Sequence, residues 1–229
     1  MLNHSTQLKS PTSPRKRFRS LLLWIGLAFF LLNARQNPMW LAFIVWTLVY
    51  LFRARLRQWI DRWNLPKPYI SLGVIFGLII ESFAILNNID LPPDERILLN
   101  PNPLADLIMA TFYYLCVCVV WYALLRRFAY TARQIFFVTG GFGIVVEQNG
   151  AILLGIVANP IIGGLLALLI LCIYGMFPLM AYWLTAHQFE PTRPSVKPRH
   201  IFLAVVAIFL QYIVYGLCFF PVLTHIFEG

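Results

Sequence analysis

Charge is scarce in this chain of 229 residues: 12% are Asp, Glu, Lys or Arg, against 60% hydrophobic. A water-soluble domain needs a charged exterior that so few charges cannot cover, so the composition excludes one and points to lipid. Acidic residues are rarest, 9 in all, and none precedes Asp61. Cysteine is also sparse. Cys116, Cys118, Cys172 and Cys218 all lie in apolar runs, where a thiol behaves as a small hydrophobe, which speaks against a disulfide framework or a thiolate metal site. His4, His187, His200 and His225 fall at chain ends or connections without ligand spacing, so no metal or other cofactor is expected.

Other absences narrow the function. The last apolar run has no Lys for a retinal Schiff base, and the carrier signature Pro-x-Asp/Glu-x-x-Lys/Arg does not occur. His-Glu-x-x-His, Gly-x-Ser-x-Gly and Glu-Glu, which intramembrane proteases would need, are missing too. A formal charge of +9 would suggest nucleic acid in a soluble protein; here the cations flank apolar runs, and no nucleic-acid partner is expected.

What the chain does have is long apolar runs bounded by charge or proline. Seven candidate spans follow: Phe18–Asn33, Pro38–Phe52, Pro68–Asn88, Pro103–Leu125, Gln134–Leu153, Pro160–Leu184 and His200–Leu223. The fold class expected is therefore all-α, a polytopic membrane bundle of about seven helices in one domain over 18–229, behind a disordered basic tail at 1–17. The first two runs are short for a bilayer core of about 20 residues and suit a tilted or shallow hairpin. Asn149–Asn159 is too apolar for an ordinary connection and too brief to cross, as in a re-entrant segment. The Ser, Thr, Lys and Arg ahead of the first run also fit a targeting peptide, but Leu32-Asn33-Ala34 is a poor cleavage site and an uncleaved first helix is expected.

With seven crossings, every one of the 18 basic residues except Arg35 and Arg96 falls on one side. Asp90, Asp94, Glu95, Asp106 and Glu228 fall on the other. Short cation-rich connections stay in the cytoplasm, so the amino end is expected inside and the carboxyl end outside.

One motif occurs twice: Phe76-Gly77-Leu78-Ile79-Ile80-Glu81 and Phe142-Gly143-Ile144-Val145-Val146-Glu147. A basic residue lies 14 positions before each Glu, as Lys67 and Arg133, and the same interval separates Lys197 from Gln211. Asn-Pro opens the preceding span each time, at Asn37-Pro38, Asn102-Pro103 and Asn159-Pro160. Three tandem hairpins after a leading helix follow, at 37–90, 102–150 and 159–224. Asn-Pro is also an ordinary helix start, with Asn as N-cap and Pro in the first turn, so it can arise independently.

A carboxyl in a bilayer core costs roughly 2.5–3.5 kcal/mol on insertion scales and needs a reason to be there. Positions four apart share a helix face, which aligns Gly73, Gly77 and Glu81, and likewise Thr139, Gly143 and Glu147. Small residues at that spacing let another helix approach, so both Glu side chains are expected to face protein. Leu203, Ala207 and Gln211 continue the pattern less well. Fourteen residues at 1.5 Å each place Glu81 and Glu147 roughly 21 Å from their cations, in one layer, where burial and mutual repulsion favour a shared proton.

The candidate binding residues are thus Glu81, Glu147 and Gln211, with Gly73, Gly77, Thr139 and Gly143 as helix-packing positions. Transport of a small solute or ion is the first reading. Alternatives are a scaffold that binds another membrane protein or a second copy of itself, and a membrane-embedded enzyme on a lipid or isoprenoid. Trp40, Trp46, Trp121, Tyr122, Tyr182 and Trp183 cluster toward span ends as interface anchors do, and Pro178 is expected to kink its helix.

Overall fold

The computed structural model describes residues 14–63 and 65–228, with side chains from Leu22 to Phe227, so most of the basic tail read at 1–17 lies outside the described residues. Their regular structure is helical, with no strand among the described residues: α1 (Pro14–Asn33), α2 (Trp40–Ile60), α3 (Pro68–Asn88), α4 (Pro103–Arg127), α5 (Ala132–Val146), α6 (Ala151–Ala158), α7 (Pro160–Thr185), α8 (Pro198–Val214) and α9 (Phe220–Glu228). A π-helical stretch, Tyr215–Phe219, joins α8 to α9, and α5 and α6 together make one interrupted helix.

Five helical runs are long and apolar enough to cross a membrane: Pro68–Asn88, Pro103–Arg127, Ala132–Ala158, Pro160–Gln188 and Pro198–Phe227. With α1 and α2 they make a seven-membered helical membrane bundle. The apolar part of α1 is short, Leu22–Asn33, and α2 ends in Arg53, Arg55 and Arg57.

Local sequence explains the helix starts. Each Asn-Pro pair uses its Asn side chain to accept a following backbone N–H: Asn37 from Met39 at 2.9 Å, Asn102 from Leu104 at 3.0 Å, and Asn159 from Ile162 at 3.1 Å. Such caps satisfy donors that a helix start leaves orphaned. α5 starts with a reciprocal cap instead, Thr131 accepting from Gln134 N–H while the Gln134 side chain accepts from Thr131 N–H.

Apolar side chains gain little by leaving lipid for one another, so close fit decides which helices associate. The tight pairs are α5 with α7, α3 with α4, and α3 with α7. Each Glu-bearing helix therefore packs most closely on the helices after it. Fully buried Trp121, Met109, Leu125, Met176 and Met180 fill the interior between them.

The basic connections are knitted to one end of the bundle. Arg57 donates to the Trp183 carbonyl at 2.7 Å, Arg193 donates to the Leu125 and Phe128 carbonyls, and Ala129 N–H donates to Pro194 O at 3.0 Å. Cations at helix carboxyl ends satisfy carbonyls that have no helical partner. At the far end Arg96 gathers the α3–α4 connection through the carbonyls of Ile89, Leu91 and Pro101.

Candidate functional site

Gly77 and Glu81 lie one turn apart on α3, and both meet the same residue of α4. A Cβ on Gly77 would sit 2.3 Å from Tyr114 Cγ, so only glycine lets that ring lie flat on α3. The ring then extends along the groove and its hydroxyl donates to Glu81 Oε2 at 2.7 Å. Phe177 of α7 closes the other side of the Tyr114 ring, with centroids 4.8 Å apart.

The second motif repeats this construction with different helices. A Cβ on Gly143 would sit 2.3 Å from Tyr174 Cγ, and the Tyr174 hydroxyl donates to Glu147 Oε2 at 2.5 Å. Two Phe-Gly-x-x-x-Glu segments thus each receive a tyrosine from the helix opened by the next Asn-Pro pair. Pro178, one turn after Tyr174, has no N–H to give the Tyr174 carbonyl, which leaves α7 less constrained there.

The two sites differ at the glutamate. α3 runs on past Glu81 to Asn88, whereas α5 ends at Val146 and Glu147 is its C-cap. Gln148, Asn149 and Gly150 follow with φ of 48°, 55° and 87°. Left-handed backbone at a residue with a Cβ costs roughly 1–2 kcal/mol, so this break is not a relaxed helix end. The expected span Gln134–Leu153 is in fact interrupted at its glutamate. The eight residues of α6 then continue the run and pack against the start of α7, where Gly163 abuts the Gly155 backbone.

The remaining packing positions lie at helix contacts too. Gly73 faces the Cys118 thiol, and Thr139 accepts from Trp121 Nε1 at 2.8 Å while donating to the Ile135 carbonyl. Gln211 stands apart. It is 8% exposed, but neither amide atom has a hydrogen-bond partner among the described residues, and no tyrosine grips it. The buried row of α8 runs through Ala204, Ile208 and Gln211, while Leu203 is exposed, so the row Leu203–Ala207–Gln211 read from sequence is not the packed one.

Two further polar residues lie in this region, Asp106 and Tyr113. Asp106, assigned from sequence to the far-side surface with the other acids, is fully buried in the first turn of α4. Its sequence context, four residues after Asn102 in a first helical turn, is that of an ordinary helix-start acid and does not mark burial. Tyr113, 8% exposed, has a hydroxyl without a partner among the described residues and within electrostatic range of both Glu81 and Glu147. An apolar chain rich in aromatics gives no hint which tyrosine is turned inward.

Half-buried Glu81 and Glu147 and the buried Asp106 are near enough to act on one another electrostatically, and neither α3 nor α5 beyond Arg133 holds a cation to neutralise them. Comparison with protein-family models, curated proteins and solved structures gives no match.

Proposed function

We propose that this protein is a small-solute transporter or permease whose intramembrane carboxyls exchange a proton with the passage of the solute. The observation that carries the reading is the pair of Glu–Tyr contacts, Glu81 with Tyr114 and Glu147 with Tyr174, inside a bundle whose apolar helices belong in lipid. A carboxyl there is expensive and is kept where it titrates or binds. The break after Glu147 supports the same reading, since interrupted helices near a polar centre are how transporters bring backbone groups to a solute.

The cation distribution supports an amino end in the cytoplasm and a carboxyl end opposite. The shared Gly–Tyr–Glu construction supports descent of the α3–α4 and α5–α7 pairs from one duplicated unit. An assembly role draws on a separate feature. Gly141 and Gly164 face open space, where another membrane helix, from a partner or a second copy, would fit closely.

The test is proton movement in liposomes loaded with a pH dye and challenged with a panel of amino acids, sugars, organic acids and amines. A solute that drives proton flux in the wild type, and none in Glu81→Gln with Glu147→Gln of unchanged thermal stability, is the expected result. Flux that survives both substitutions contradicts the reading. A stoichiometric membrane partner that still co-purifies with the double variant favours the assembly role.

A further inference from the structure

Asp106 is 0% exposed, and its Oδ1 accepts the backbone N–H groups of Leu99 at 2.7 Å and Asn100 at 3.2 Å. Its Oδ2 meets no donor among the described residues. A buried acceptor left in this state costs about 1–3 kcal/mol, and more if it is charged, unless a proton is supplied to it.

The group placed to share one is Glu81. The two side chains come within hydrogen-bonding reach of each other across the α3–α4 contact, whereas Glu147 acts on Glu81 only through its charge. α3 contains no Lys or Arg, and α4 carries them only in its last turn, at Arg126 and Arg127. Facing carboxylates with no cation between them cannot both stay ionised at low dielectric. One proton between them removes the repulsion and satisfies Asp106 Oδ2 together.

The surroundings agree. Tyr114 of α4 already holds Glu81 Oε2, and Tyr113 of α4, Tyr174 of α7, Glu147 at the end of α5 and Tyr215 of the π-helical stretch face the same interior. α2 brings no acid or histidine within Trp40–Ile60, and its Tyr50 is exposed. The buried hydroxyl of Tyr113, beside these groups, also has no partner among the described residues.

We propose that Glu81 and Asp106 form a carboxyl pair that holds one proton in common, with Tyr114 as the third member of the hydrogen-bonded chain. This rests on the reading of the carboxyls as a protonatable centre and deepens it by naming the proton's second holder. The pair also links that centre to the end of the bundle. Asp106 holds the proton through one oxygen and the Leu99–Asn100 backbone through the other, so protonation is felt in the connection between α3 and α4.

Infrared difference spectroscopy of the full chain in lipid nanodiscs at neutral pH tests this through the C=O stretch of a protonated carboxyl. One band is expected in the wild type, and it should vanish in Glu81→Gln and also in Asp106→Asn, which keeps an oxygen for Leu99 and Asn100. Glu147→Gln should leave it in place. Because Asp106→Asn can weaken folding, carboxyl-¹³C labelling of aspartate in one wild-type sample and of glutamate in another gives a second readout: both labels should shift the band. A band that moves only with glutamate label, or persists at full height in Asp106→Asn, overturns the pair, as does absence of the band. A pair that behaves as expected in a protein moving no solute overturns the transport reading alone. A band independent of Asp106, with uptake that still needs Glu81, overturns the pair alone.

Discussion

The Glu81 and Glu147 sites start from the same six-residue motif and end differently. Around Glu81 the helix is unbroken, and the tyrosine comes from a helix reached after a connection held together by Arg96 and Asp106. Around Glu147 the helix stops, three residues turn left-handed, and a short helix intervenes before the tyrosine-bearing α7. What stays constant is the grip, a glycine that admits an aromatic ring and a carboxyl one turn on that receives its hydroxyl. What varies is the backbone that follows. The contact between side chains, more than the helix that carries it, is therefore the feature common to both sites, and the α5 site has the interrupted backbone.

The largest effects should come from breaking that shared grip. Gly77→Ala and Gly143→Ala each drive a methyl group into a tyrosine ring, and overpacking of this kind costs about 1–3 kcal/mol. Thermal unfolding in detergent should fall for both and for neither Gly141→Ala nor Gly155→Ala, where a Cβ meets open space. Equal tolerance at Gly77 and Gly143 would remove the likeness between the sites.

Next in size is a substitution that separates them. Gly150→Ala places a Cβ on left-handed backbone and should cost about 1–2 kcal/mol, with increased proteolysis between α5 and α6. α3 has no counterpart to this position. Smaller still are Tyr114→Phe and Tyr174→Phe, each expected to lose about 1 kcal/mol by removal of a single hydrogen bond while the ring stays in its groove. If one of them changes nothing, that glutamate is held by other means.

Much of the bundle is legible in the chain because hydropathy and helix-start chemistry are local. Five of the seven expected spans reappear as helices fit to cross a membrane, and the Asn of each Asn-Pro pair accepts a backbone N–H at a helix start as expected. The repeated motif also leads to both glutamates, since glycine and an acid at four-residue spacing are unusual in lipid. Their partners stay hidden. Tyr114 and Tyr174 lie 33 and 27 residues beyond their glutamates, intervals set by connections of different length, so no fixed spacing marks them. Asp106 is hidden for another reason: charge at the edge of a span is normally solvated, and the connection that folds back to donate to it is not marked in the sequence. The break at Gln148–Gly150 falls at the start of Asn149–Asn159, read from sequence as re-entrant; the structure instead makes 151–158 a helix in one apolar run with α5.

The claim that the two glutamates work as one centre is tested most directly by measuring solute-driven proton flux in Glu81→Gln, Glu147→Gln and the double variant. Residues acting as a unit are not additive, so each single substitution should remove nearly all the flux and the double variant should be no worse. Partial losses that multiply in the double variant, or flux unchanged by either substitution, would contradict a joint centre.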